Sequence, residues 1–179
     1  MVTKRSTSTL VKDLKDDARV TRLRETFTTL PIFNINVRQL TDEIASTHKI
    51  REVRRLNSQE PGFLTQLLKA NTDDQATRSR MTEILVECGR AISKLDKTLD
   101  YLTQYLITTY TYELRAFKTK EERQYIIHAV LRQFRDYMAD VQSLKDTALL
   151  IVSDIDKAAW SMKLSVAVMQ IHSDKEHLI

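Results

Sequence analysis

The chain has 179 residues, of which 42% are hydrophobic and 29% are charged, and its formal net charge is +4. It contains 2 glycines and 2 prolines, whereas average usage at this length gives about 20 of the two together. Doubly wound sheets, sandwiches, barrels and glycine-rich phosphate loops are therefore excluded, because each needs glycine where the backbone turns tightly. A single domain built from long helices is expected.

Residues 1–9 are polar and lack an apolar period, which predicts an N-terminal arm. A helix is predicted from Leu10, with Ser8 or Thr9 as its cap, and it ends before Pro31. A second helix is predicted to follow Asn36.

A third, short helix is predicted to begin at Pro61 and to end at Asn71. Together, residues 10–71 form a predicted basic region of three short helices. Residues 1–56 hold 12 Lys and Arg against 7 Asp and Glu, so the positive charge of the chain lies in its first third.

Residues 72–179 predict a long helical hairpin. Thr72 with Gln75, and Thr119 with Glu122, have the spacing of a capping box and predict the starts of its two helices. In the first helix, apolar residues alternate at steps of four and three, and a shift of register after Leu106 predicts a local unwinding. This seam consists of Met81, Leu85, Cys88, Ile92, Leu95, Leu99, Leu102 and Leu106.

The second hairpin helix carries an equally regular seam from Ile127 to Met169, in which Lys145 is the single charged position. A charged seam residue can set the register or stoichiometry of a coiled coil, or it can extend its ammonium group to water. Both readings of Lys145 stay open. The overall fold class predicted is all-α: a coiled-coil-like antiparallel hairpin with three shorter N-terminal helices packed near one end.

A second apolar stripe lies on the last helix, outside this seam. Its members are Trp160, Leu164, Val168 and Ile171. Because each helix of a hairpin needs only one seam, the stripe predicts a contact with the N-terminal helices, with other copies of the chain, or with another protein.

The segment Leu40–Ala45, followed by basic residues, has a sequence pattern similar to that of a helix-turn-helix. The candidate contacts to DNA or another polyanion are Lys49, Arg51, Arg54 and Arg55. A solvated basic face is the simpler interpretation of the same pattern. Tyrosines that share one face, such as Tyr101 and Tyr105, are interpreted as ring contacts beside the seam, with base stacking as the alternative.

The residues nominate no catalytic dyad, no metal ligand set and no cofactor, so the chain is predicted not to be an enzyme. Its single cysteine, Cys88, is predicted to be a buried thiol rather than part of a disulfide. No signal peptide or transmembrane segment is predicted. The expected location is the cytoplasm or a virus particle.

The leading hypothesis is a structural or assembly protein that associates through its helices, as a homo-oligomer or within a multi-component complex such as a virion or a tail machine. One alternative is a DNA-binding assembly factor of the small-terminase type. Another is a helical adaptor or chaperone for one protein partner. The sequence leaves open the partner, the copy number, the symmetry and the ligand of the basic region.

Overall fold

A computed structural model describes residues 7–53 and 62–176, and the side chains of residues 7–51, 62–168 and 170. Six α-helices lie in these ranges, and no strand does. They are α1 (Thr7–Lys15), α2 (Ala18–Thr29), α3 (Val37–Val53), α4 (Phe63–Thr109), α5 (Thr111–Arg115) and α6 (Lys120–Glu176), with a 3-10 turn at Pro31–Phe33. None of these helices is both long and apolar enough to cross a membrane.

The predicted all-α hairpin is confirmed. The two long helices, α4 and α6, pack against each other, with the short helices nearby. Every position of the α4 seam from Met81 to Leu106 is buried or half-buried, and Cys88 is a buried thiol outside any disulfide, as predicted. Leu144 and Ile151 are buried on α6.

The chain forms two compact units, and each contains part of both long helices. Unit 1 comprises Met1–Val37 and Glu87–Ser143, and unit 2 comprises Arg38–Val86 and Leu144–Ile179. The sequence-based division at residue 72, which follows chain order, stays a prediction.

The core of unit 1 lies where α1 and α2 cover the two long helices. Leu10, Leu14 and Val20 are buried in one cluster with apolar side chains of α4 between Leu95 and Leu106 and of α6 between Ile126 and Phe134. Aromatic rings complete this cluster: the Phe27 ring lies 5.3 Å from the rings of Phe33 and Phe134 and 4.8 Å from that of Tyr137. The Phe27–Phe33 rings are stacked, whereas Phe134 and Tyr137 meet Phe27 edge to face, and both arrangements add to the stabilisation that burial provides.

In unit 2, α3 is tied to α4 by ion pairs. Arg51 Nε donates to Asp74 Oδ1 at 3.1 Å, and the side chains are 14% and 7% exposed. Glu43 accepts two hydrogen bonds from Arg80, at 2.8 and 3.2 Å. These bonds with Arg80, more than the opposing effect of burial, hold the pKa of Glu43 below its usual value. Ile44, also on α3, is buried.

The two predicted capping boxes have different outcomes. At Thr119 the box is confirmed: the Glu122 N–H donates to Thr119 Oγ1 at 3.1 Å, and the Thr119 N–H donates to Glu122 Oε2 at 3.3 Å. The predicted helix end at Asn71 and start at Thr72 are wrong, because α4 continues through both residues. The Thr72 hydroxyl donates to the Leu68 carbonyl, four residues earlier, and so acts within a helix rather than at its start.

The first predicted helix is divided in two by an aspartate that the pattern did not reveal. Helix α1 begins at Thr7, before the predicted Leu10, and it ends at Lys15. Asp17 then caps α2 by accepting hydrogen bonds from the N–H groups of Arg19 and Val20. Residues 1–6 of the predicted arm lie outside the described residues.

Where the shift of register after Leu106 predicted a local unwinding, the helix instead breaks. Helix α4 ends at Thr109, and Tyr110 adopts φ −103° and ψ 30° before the short helix α5 begins. This break places buried Leu114 against the core of unit 1.

Candidate functional site

The predicted apolar stripe of α6 is uncovered in the single chain. Trp160 is 69% exposed, Leu164 is 54% exposed and Val168 is 47% exposed. The side chain of Ile171 lies outside the described residues. The N-terminal helices therefore do not bury Trp160, Leu164 or Val168.

A groove of about 430 Å³ lies beside the stripe, between α4 and α6 of unit 2. Leu67 and Leu68 line it from α4, and Met162 and Val166 line it from α6. The exposure of Leu68 is 69% and that of Val166 is 37%, so the groove is open to solvent. Apolar side chains thus stay accessible on both walls.

Helix geometry joins the stripe and the groove into one surface. Ala159, Lys163 and Ala167 line the groove, and each immediately precedes a member of the stripe in sequence. Adjacent helical residues are separated by about 100° around the axis, so the two sets occupy neighbouring faces of α6. We call this combination the apolar surface of unit 2.

The candidate DNA-contact residues have different environments. Lys49 is exposed, whereas Arg51 is half-buried and paired with Asp74. Arg54 and Arg55 lie outside the described residues. Contact of this cluster with DNA stays a prediction.

The helix-turn-helix interpretation of this segment is corrected by the course of α3. Val37–Val53 is one helix, which continues through Lys49, the position of the usual turn glycine in such a motif. Lys49 lacks the conformational freedom that glycine would give a turn at this position, and lysine is a good helix former.

Lys145 is half-buried on α6, at the seam position expected for it. Its neighbours Leu144 and Ala148 are buried. Both interpretations, control of register and extension of the ammonium group to water, stay predictions. Within residues 7–51 and 62–168, no group of three His, Cys, Asp or Glu side chains could hold a metal ion.

Unit 1 contains a second surface feature, a cleft of about 400 Å³ between α2 and α4. We call it the cationic cleft, since Arg19 and Arg22 line it from α2 and Lys94 lines it from α4. Leu23, Phe33 and Leu102, which are buried core residues, form its apolar lining, and Tyr101 also lines it.

Arg19 is held at this cleft by a network of aromatic side chains. Its guanidinium donates to the Tyr101 hydroxyl and lies 4.0 Å from the centre of the Tyr105 ring. Asp17 supports the same network, because it accepts hydrogen bonds from Tyr105 at 3.2 Å and from Tyr110 at 2.8 Å. The arginine is therefore oriented in advance of any ligand.

The network also shifts two pKa values. Burial acts to raise the pKa of Asp17, but hydrogen bonds from Tyr110, from the backbone N–H groups of Arg19 and Val20, and from Tyr105 outweigh it and lower the pKa. Burial, followed by the hydrogen bond to Asp17, raises the pKa of Tyr110 to about 12.

Sequence reasoning identified the stripe but missed the cleft. Arg19 and Arg22 precede Lys94 by more than seventy positions in the chain, so no local spacing reveals that they share a site. The tyrosine face was a usable signal, because Tyr101 and Tyr105 are one helical turn apart.

Comparisons with protein-family models, with curated proteins and with solved structures find no match to this chain. The site geometry therefore supplies the argument for function.

Proposed function

We propose that the protein is a non-enzymatic assembly protein that associates with a second copy of itself through the apolar surface of unit 2. The observation that supports the proposal is the exposure of Trp160, Leu164 and Val168 in one row. Large exposed apolar areas are typical of protein interaction sites, and tryptophan is enriched among the residues that dominate interface energies.

The spacing of the row suits a helical partner. Its members recur every four residues, and Ala167 offers a small side chain beside Val168, so the face resembles one side of a helix–helix seam. A second copy supplies the same kind of face, and a two-fold pair buries both faces at once. Location within a virus particle stays a prediction.

The test is the native mass of the full chain, measured by light scattering over a range of concentrations. The wild type is expected to form a dimer or larger oligomer. Leu164→Glu places a carboxylate in the proposed contact, and we expect it to raise the dissociation constant about 30-fold or more, equivalent to about 2 kcal/mol.

Ile107→Glu is the matched control, because Ile107 is 47% exposed on α4 in unit 1, away from the apolar surface of unit 2. This control is expected to keep the wild-type mass. A wild type that stays monomeric at every concentration would overturn self-association and favour the adaptor alternative. Equal effects of the two substitutions would show that the charge, not its position, weakens association.

A further inference from the structure

The cationic cleft has positive charge on both of its walls. Arg22 and Lys94 are exposed, and within the described part of the chain neither forms an ion pair. Arg90 and Lys97 are each about one helical turn from Lys94 and therefore extend the positive face of α4. Glu25 and Glu87 lie one helical turn from Arg22 and Arg90, but neither pairs with Arg22 or Lys94, so both cations can attract an anion.

The cleft also offers a surface for a flat ring. Tyr101 is 58% exposed, and buried Leu23 and Leu102 line the cleft beside it. A simple inorganic anion would use only the cations, whereas an acyl chain would use only the apolar lining. A ligand that carries both a phosphate and a planar base would use both.

The size of the cleft restricts the ligand further. Its volume of about 400 Å³ lies within the range of about 300–1,000 Å³ that is usual for small-molecule sites. A double helix cannot enter such a cleft, but one nucleotide can. Arg19, oriented by Tyr101 and Tyr105, adds a guanidinium that can pair with two phosphate oxygens.

We propose that the cationic cleft of unit 1 binds a nucleotide, with its phosphate at Arg19, Arg22 and Lys94 and its base against Tyr101. The same chemistry is offered by a free mononucleotide and by one position of a single-stranded nucleic acid. This site is separate from the apolar surface of unit 2, and its proposal does not depend on self-association.

Calorimetric titration of the full chain at low salt tests the proposal, with adenosine monophosphate and a short oligothymidylate as probes. Binding of at least one probe is expected. Tighter binding of oligothymidylate assigns the site to single strands, and tighter binding of the mononucleotide assigns it to free nucleotides. Absence of binding by both probes would overturn the proposal.

The variant Arg22→Ala/Lys94→Ala removes a cation from each wall. We expect it to weaken binding about tenfold, equivalent to about 1.4 kcal/mol, because two exposed charge contacts are lost. For oligothymidylate, the slope of log affinity against log salt is expected to fall in magnitude by about 1.4. Because both side chains are exposed, the variant should fold, and circular dichroism checks that it retains its helices.

Lys118→Ala/Lys120→Ala is the charge-matched control, since both lysines are exposed in unit 1 and neither lines the cleft. This control is expected to bind as the wild type does. An equal loss in both double variants would overturn the site, because attraction to the net charge alone would then explain binding. Tyr101→Leu offers an independent test: it should weaken binding of the mononucleotide more than Tyr101→Phe does, because phenylalanine keeps the ring and loses only the hydroxyl that accepts from Arg19.

Discussion

The two units of the molecule share the same two long helices but present different surfaces. Counted along the sequence, unit 1 contains 16 Lys and Arg against 12 Asp and Glu, whereas unit 2 contains 12 of each. The whole net charge of +4 therefore belongs to unit 1, which has the cationic cleft. Neutral unit 2 has the apolar surface. One hairpin can thus combine a site suited to an anion with a site suited to another helix.

The units also differ in how a short helix is attached to the hairpin. In unit 1, α2 is attached through the aromatic rings around Phe27 and through hydrogen bonds from Tyr105 and Tyr110 to its cap, Asp17. In unit 2, α3 is attached through the pairs Arg51–Asp74 and Glu43–Arg80. Aromatic packing tolerates changes of pH and salt, whereas an ion pair depends on both partners being present and charged.

Among the tests of this contrast, removing the Asp74 carboxylate is expected to cause the largest loss in the free energy of unfolding. Asp74→Ala leaves the Arg51 guanidinium half-buried without its carboxylate, and breaking a buried pair in this way costs about 3 kcal/mol or more. Urea unfolding at neutral pH measures the loss in the free energy of unfolding. Asp156→Ala is the control, because it breaks an exposed pair with Arg78 in the same unit. A similar small loss in both variants would contradict a special role for the buried pair.

Replacing Asp17 in unit 1 is expected to have a smaller effect, which depends on pH because Asp17 raises the pKa of Tyr110. The folded pKa of Tyr110, about 12, lies above its usual value of 10.0. The stability contributed by this phenol is therefore present below pH 10 and is lost as the pH rises towards 12. In Asp17→Asn the charged acceptor is removed, so the pKa of Tyr110 should fall towards 10 while burial keeps part of the rise.

Absorbance of tyrosinate against pH, taken as the difference between each protein and its Tyr110→Phe variant, measures this pKa. Asp16→Asn removes the neighbouring carboxylate, which does not bond to Tyr110, and is expected to leave the pKa unchanged. An unaltered pKa in Asp17→Asn would show that burial alone raises it.

Periodicity predicted the hairpin because its signal is repeated many times along the chain. Eight seam positions from Met81 to Leu106 agree on one face of α4, and the turn is marked by a reciprocal capping box at Thr119. The same motif did not mark a helix start at Thr72. A threonine hydroxyl can donate to a carbonyl inside a helix as well as accept from a backbone N–H at a helix start. A capping-box sequence therefore marks the start of a helix only where both of its side chains form the capping hydrogen bonds.

The stripe of α6 and the cationic cleft likewise differ in how far a local pattern predicts them. The stripe at Trp160, Leu164 and Val168 is local to one helix, so its spacing alone predicted it. The cationic cleft depends on the folding of α2 onto α4, and the network around Asp17 joins residues about ninety positions apart. Such contacts form when the helices pack together, and no local spacing in the sequence reveals them.

The central claim, that the apolar surface of unit 2 is covered by another copy, is tested most directly by the fluorescence of Trp160. It is the only tryptophan of the chain and lies within that surface. With rising protein concentration, its emission is expected to shift to shorter wavelength and to become protected from a soluble quencher, in step with the increase in native mass. Emission that stays that of a solvent-exposed indole while the mass increases would contradict the claim.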